Sequence, residues 1–285
     1  MDKTYTLNMA GRTHQGMVRK YNEDNFSVDR LGEDGQVMAV VADGVGSCAG
    51  SEKAALLAVT VPMECLKKED REIDFAAFRQ TIVRTHNVMY NARYDNPCLT
   101  NMCCVWTAAW FDTVNRCMHM AHVGDTRLYA FAGNRLIKLS KDHSYVGQYE
   151  EQGILSEDEA MHHPARNVIN RVAAEFPIDE DSTHYQMNTL PMGPGITWLL
   201  CSDGLYDMIN SAQIIHILST GMSVEEKADA LVNAANAAGG KDNVTVVLVE
   251  DNAPVTEETE SVMQAYADYA RSGYPTKKLP SQEGS

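Results

Sequence analysis

The stretch between residues 103 and 139 limits the fold more than any other part of this sequence. Apolar runs follow one another there at 103–111, 117–123, 127–131 and 135–139, separated by only a few turn-forming residues each. Connections this short join antiparallel neighbours, because a parallel crossover needs a dozen residues or more. Further strands are expected at 4–7, 25–29, 37–42, 167–172, 183–187, 197–202 and 244–250. Helical periodicity marks 51–67, 75–94, 212–218 and 224–237, with a small helical excursion over 144–163. Strands therefore come in hairpin runs and helices in consecutive pairs. That is an α+β pattern, two antiparallel sheets covered by helices, and not a βαβ alternation.

The chemistry concentrates where apolar strands end in aspartate. Val40-Val41-Ala42-Asp43-Gly44 and Leu199-Leu200-Cys201-Ser202-Asp203-Gly204 share that form. Related arrangements are Asn22-Glu23-Asp24-Asn25, His122-Val123-Gly124-Asp125 and Gly239-Gly240-Lys241-Asp242-Asn243. One such site is explained by turn chemistry alone. Five invite another reading, in which rigid strand tips aim carboxylates into the mouth of a sheet sandwich. Carboxylates gathered there repel one another unless a divalent cation sits among them. Oxygen-only donors favour Mg²⁺ or Mn²⁺ over zinc or copper.

The charge of −15, from 39 acidic and 24 basic residues, argues against nucleic acid or an anionic membrane surface as a partner. Seven cysteines without a Cys-x-x-Cys pair read as reduced thiols. Residues 1–10 lack the pattern of a signal peptide, and no apolar run approaches a membrane span. A cytoplasmic protein is expected.

Seven motifs stand in one order along residues 11–250. They are Gly16-Met17-Val18-Arg19-Lys20-Tyr21-Asn22-Glu23-Asp24-Asn25, Ala42-Asp43-Gly44-Val45-Gly46, Val123-Gly124-Asp125-Thr126-Arg127, Asp142-His143-Ser144, His163-Pro164-Ala165-Arg166-Asn167, Cys201-Ser202-Asp203-Gly204-Leu205 and Gly240-Lys241-Asp242-Asn243-Val244-Thr245. In these the chain resembles the metal-dependent serine/threonine protein phosphatases of type 2C, in their compact bacterial form. The resemblance implies a four-layer α-β-β-α sandwich and two Mn²⁺ or Mg²⁺ ions, with a third, weaker site. Asp43 would bridge two metals, with the Gly44 carbonyl on one of them. Asp203 and Asp242 would complete the first site, and Asp24 with Glu23 would serve the second. Asp125 would share the third metal with Asp203. Arg19 would grip the substrate phosphate. A metal-activated water would then hydrolyse phosphoserine and phosphothreonine in proteins, with no phosphoenzyme and with a serine/threonine kinase as counterpart.

Some positions depart from that pattern. Val45 stands where animal members carry a histidine with a general-acid role and bacterial ones often a methionine. His122 replaces an asparagine, and Ala173-Ala174 replaces a usual Leu-Gly pair. His143 and His163 are expected to be structural hydrogen-bonding residues. The segment 150–163 matches a mobile flap beside the site. The catalytic domain is expected to cover 1–252 in a monomer. Residues 253–285 would be a tail, with a short helix over 256–271 and disorder beyond, and dispensable for turnover.

Overall fold

The computed structural model describes residues 6–32, 34–46, 49–68 and 73–271. Three strands open the chain, β1 (Leu7–His14), β2 (Asp24–Leu31) and β3 (Gln36–Gly44), followed by the helices α1 (Ser51–Lys67) and α2 (Phe75–Tyr94). Then come β4 (Cys104–Asp112), β5 (Cys117–Val123), β6 (Arg127–Ala132) and β7 (Arg135–Lys138). The short helices α3 (Tyr145–Glu151) and α4 (Glu157–Met161) precede β8 (Gln186–Pro191) and β9 (Thr197–Cys201). The chain continues through α5 (Asp203–Tyr206), α6 (Ser211–Leu218), α7 (Val224–Ala237), β10 (Val244–Asp251) and α8 (Glu257–Arg271).

Two five-stranded antiparallel sheets result, ordered β1-β10-β9-β6-β7 and β2-β3-β4-β5-β8. The pleat explains how they pack. Val37, Ala39 and Val41 of β3 face the other sheet, meeting Leu128, Trp198, Leu200 and Val247. The alternate residues Met38, Val40 and Ala42 face Ala54, Ala58, Phe78 and Ile82 of α1 and α2. On the far side Leu199 and Leu248 meet Ala228, Leu231 and Ala235 of α7. The layers are therefore helices, sheet, sheet, helices. Strands enclosed on both faces are apolar throughout, and each large side chain so buried contributes about 1.5–3 kcal/mol.

Four differences from the sequence reading have physical causes. First, β5 and β6 are not neighbours. They lie in different sheets. The link Gly124-Asp125-Thr126 crosses the sandwich, with Gly124 at φ 101°, a backbone state open to glycine at little cost. Second, residues 167–172 form no strand. They fold back on the segment before α3, through Tyr145 N–H to the Val168 carbonyl and Asn170 N–H to the His143 carbonyl. Third, β1 begins at Leu7 and runs to His14, beyond the expected 4–7, because pairing with β10 overrides the weak strand propensity of its residues. Residues 1–5 lie outside the described residues. Fourth, the strand expected over 183–187 is β8, shifted to Gln186–Pro191 at a sheet edge that tolerates its terminal proline.

Helix α8 packs into the core between the sheets. Val262, Met263 and Tyr266 are buried there, and Tyr269 packs beside them. The Tyr266 hydroxyl donates to the Pro191 carbonyl at 2.5 Å and accepts from Trp198 Nε1 at 3.3 Å. Thr259 Oγ1 donates to the Pro194 carbonyl at 2.6 Å. The disorder expected beyond 271 lies outside the described residues.

Candidate active site

Four carboxylates reach one cleft from separate parts of the chain. Asp43 is at the end of β3, Asp203 opens α5 just past β9, Asp242 precedes β10, and Asp125 sits in the link from β5 to β6. They line the cleft with Arg19, Glu23, the Gly44 backbone, Val45 and Gly46. The sheet-crossing link is what brings Asp125 to the mouth of the sandwich.

The Asp-Gly pairs owe their glycines to close approach and not to a turn. A Cβ on Gly44 would lie 2.7 Å from the Ser51 backbone, and one on Gly204 would lie 1.9 Å from the Asn243 carbonyl oxygen. Each glycine lets a second backbone segment press against the chain beside its aspartate, which holds the carboxylate in place.

The carboxylates share one electrostatic field. Burial, and then the charges of Asp24, Asp203, Asp125 and Asp242, push the Asp43 carboxyl well above its usual range. Burial followed by Asp207, Asp125, Asp242 and Asp24 does the same to Asp203. The Asp125 carboxyl is pushed up to about 7 by burial, with Asp142 and Asp207 adding to it. Such mutual repulsion suits a multivalent cation, and an all-oxygen donor set suits Mg²⁺ or Mn²⁺.

Asp24 lies behind this cluster as the cross-strand partner of Asp43. Its Oδ2 accepts from Ser202 Oγ and Thr245 Oγ1, both at 2.7 Å. Burial raises its carboxyl to about 6 against those two hydroxyls. Glu23, its neighbour, faces the cleft itself, with Oε2 beside Gly46.

Arg19 is carried on the loop between β1 and β2. Its Nη2 donates to Asp242 Oδ2 at 2.6 Å. Asn243 pins that loop. Its Nδ2 donates to the Gln15 and Tyr21 carbonyls at 2.8 Å, and its Oδ1 accepts from Glu23 N–H at 2.8 Å. Met17 N–H adds a bond to the Gly240 carbonyl at 2.7 Å.

A sequence model described as Protein phosphatase 2C matches residues 10–248. The chain belongs to the protein phosphatase 2C family. It is 32% identical over 247 residues to the serine/threonine phosphatase stp of Listeria welshimeri, covering 85% of this chain and 94% of that one. It is 31% identical over 248 residues to the serine/threonine protein phosphatase PstP of Mycobacterium tuberculosis, covering 87% of this chain and 45% of that protein. The solved catalytic domain of a PstP, in complex with two manganese ions, superposes with a TM-score of 0.74 at 26% identity, covering 87% of this chain and 99% of that one.

Against the usual pattern of a protein phosphatase 2C, the local departures acquire structural roles. Val45 is fixed by its backbone, the N–H bonding the Cys103 carbonyl and the carbonyl accepting from Ser51 Oγ. His122 is buried, with Nδ1 accepting from Thr107 Oγ1 and Nε2 donating to the Lys141 carbonyl, both at 2.8 Å. His143 Nδ1 accepts from Gly124 N–H at 3.1 Å, so this pair of histidines supports the Asp125 link. His163 Nδ1 accepts from Ala165 N–H within a local turn. Ala174 takes φ 70°, the left-handed state that a glycine holds without strain.

Sequence reasoning assigned no role to Asn243, Ser202 or Thr245, although each sits inside a motif already singled out. It also missed the fastening of α3 and α4. Arg127 Nη2 donates to Asp142 at 2.6 Å and to Glu150 of α3 at 2.8 Å. Burial would raise the Asp142 carboxyl, but Arg127 and Lys138 hold it below its ordinary value. Glu157 Oε1 of α4 accepts from Ser211 N–H and Oγ at 2.9 and 2.6 Å. Among the described residues no helix is long and apolar enough to cross a membrane.

Proposed function

We propose that this chain removes phosphate from phosphoserine and phosphothreonine in proteins, by hydrolysis that depends on Mn²⁺ or Mg²⁺. The observation that carries the reading is the meeting of Asp43, Asp125, Asp203, Asp242 and the Arg19 guanidinium in one cleft. Asp43, Asp203, Asp242 and the Gly44 carbonyl would hold two ions, with Glu23 and Asp24 serving the second. Asp125 and Asp203 would hold a third, weaker one. When bound, the ions supply a water of lowered pKa as nucleophile and neutralise the phosphate.

The chain's own residues do the rest. Arg19 offers a planar fork to the non-bridging phosphate oxygens, and Asp242 orients it. Asn243 holds the Arg19 loop and the Asp242 loop in register. Direct attack by water, without a phosphoenzyme, goes with that reading. The same reading carries a cytoplasmic, monomeric enzyme opposing a serine/threonine kinase. The cytoplasmic setting is supported by the free thiols at Cys65, Cys98, Cys103, Cys104, Cys117 and Cys201.

The test is hydrolysis of a phosphothreonine peptide and a small aryl phosphate in EDTA, Mg²⁺ and Mn²⁺, for the wild type beside Asp203→Ala. Metal-dependent turnover of the peptide that collapses in the variant is the expected result. Turnover of the aryl phosphate alone would move the substrate class to small phosphoesters. No turnover of either would overturn the reading.

A further inference from the structure

A second group of metal-binding side chains lies at the other end of β4. Asp112 closes that strand and pairs across the hairpin with Cys117, the first residue of β5. His119 follows two residues later, so its side chain leaves the same face of the sheet. One ligand atom from each of the three lies within 4.8 Å of the others. Cys117 Sγ and His119 Nε2 are already 3.4 Å apart. In a tetrahedron around zinc, sulfur and nitrogen ligands stand about 3.5 Å apart.

The histidine is held as a ligand is held. Its Nδ1 meets Thr189 Oγ1 of β8 at 2.8 Å, and its ring stacks on Trp110 with centroids 4.6 Å apart. A partner on Nδ1 that fixes the ring and leaves Nε2 for the metal is the common outer-sphere arrangement in zinc proteins. Asp112 is fixed as well, with Oδ1 accepting from Val114 and Asn115 N–H at 3.0 Å and Oδ2 from Asn115 Nδ2 at 2.7 Å. Asp112 and His119 are buried, while Cys117 is half-exposed, leaving a way in and room for a water as fourth ligand.

We propose that Asp112, Cys117 and His119 form a binding site for zinc or a similar thiophilic divalent cation, separate from the carboxylate cleft. The donor set decides the metal. A thiolate and an imidazole with one carboxylate suit zinc, whereas the cleft offers oxygen alone. The two sites are far apart, because Cys104 pairs with Gly44 at the cleft and Asp112 lies eight residues on, about 26 Å along an extended strand. Binding forms a bond from Cys117 Sγ to the metal and releases the thiol proton to solvent. His119 presents Nε2 bare when the ring proton on Nδ1 is donated to Thr189 Oγ1. The site would tie the β4–β5 hairpin to β8 at the end of the sheet remote from catalysis.

Cobalt is the probe, because thiolate ligation gives Co²⁺ a near-ultraviolet charge-transfer band that oxygen ligands do not. The full chain is stripped with EDTA, saturated with Mg²⁺ to occupy oxygen sites, and titrated with Co²⁺. The expected result is a band that saturates at one equivalent, disappears on adding one equivalent of Zn²⁺, and is absent from Cys117→Ser. A wild type without the band overturns the proposal, as does a band retained in Cys117→Ser. A second measurement needs no variant: Zn²⁺ should slow alkylation of Cys117 in the wild type at least tenfold, read by peptide mass mapping, while Mg²⁺ does not. Equal alkylation rates with and without Zn²⁺ would show a thiol that only hydrogen-bonds to His119.

Discussion

Arg19 donates to Asp242 at 2.6 Å across 223 residues of sequence. The residue read as the phosphate clamp and a residue read as a metal ligand are thus joined before any substrate arrives. The bond fixes one edge of the guanidinium and leaves the rest of its donors to the cleft. It also explains why the first loop and the last strand of the domain must fold together for the site to exist.

That bond predicts the effect of Arg19→Lys. Lysine keeps a positive charge for Asp242 but has no second, coplanar donor for phosphate. Loss of one preformed transition-state donor lowers turnover on the order of 10²-fold. kcat/KM for the phosphothreonine peptide should fall by about that factor, while the rise in melting temperature on adding Mn²⁺ stays as in the wild type. A lysine variant within twofold of wild-type kcat/KM would remove Arg19 from the phosphate.

Asn243 predicts a different signature. Its side chain satisfies the Gln15 and Tyr21 carbonyls and the Glu23 N–H, all partly buried. Asn243→Ala strands these groups at a cost of about 2–4 kcal/mol. The urea midpoint and the turnover should fall together, because the loop that carries Arg19 loosens. Asn243→Asp, which keeps the acceptor for Glu23 and loses both donors, should fall between the two. An alanine variant with wild-type stability and activity would show that the Gly240–Met17 contact alone fixes the loop.

The fold was legible where local pattern and tertiary environment agree. The helices Ser51–Lys67, Phe75–Tyr94 and Val224–Ala237 and the strand Cys117–Val123 were readable to the residue, since periodicity and turn chemistry coincide there. The link at 124–126 was not. Its length fits a hairpin and a crossing between packed sheets equally well, and only the burial of both flanking strands decides between them. In the site, residues that bear charge announced themselves by type and position. Ser202, Thr245 and Asn243 did not, because a hydroxyl or amide shows its purpose only through its partners.

Acid should destabilise the fold through two buried histidines. His86 Nε2 donates to the Phe176 carbonyl at 2.6 Å, so Nδ1 accepts from the Tyr185 hydroxyl at 2.8 Å, which itself accepts from Trp106 Nε1. The site has no place for a second ring proton, and His122 is bound in the same way. Burial pushes both imidazoles down to about 4 from 6.5. Between those values the unfolded chain binds protons that the folded one does not. The stability is whole above pH 6.5 and is lost as pH falls toward 4, by about 2 kcal/mol per histidine at pH 5. The raised cleft carboxyls act in the opposite direction over this range, so the test is the difference between chains: in urea titrations at pH 7 and pH 5, His86→Gln should differ from the wild type in its change of stability by about the share of one histidine. An equal difference in wild type and variant would mean that His86 does not carry it.

The last helix gives the sharpest disagreement between what the sequence suggests and what the packing requires. With the domain ended at 252, deletion of 256–285 should be harmless. Yet Tyr266 fills the space between the two sheets with no exposed surface, and its hydroxyl joins Trp198 to Pro191. Truncating a buried aromatic side chain to alanine costs about 3–5 kcal/mol. Tyr266→Ala should lower the urea midpoint by a corresponding amount without changing kcat/KM per folded molecule, since α8 contributes no side chain to the cleft. Deletion from Thr256 onward removes Val262 and Met263 as well and should leave little folded protein to assay. If the truncated chain instead melts at the wild-type temperature, α8 only rests on the core, and the domain ends where the sequence placed it.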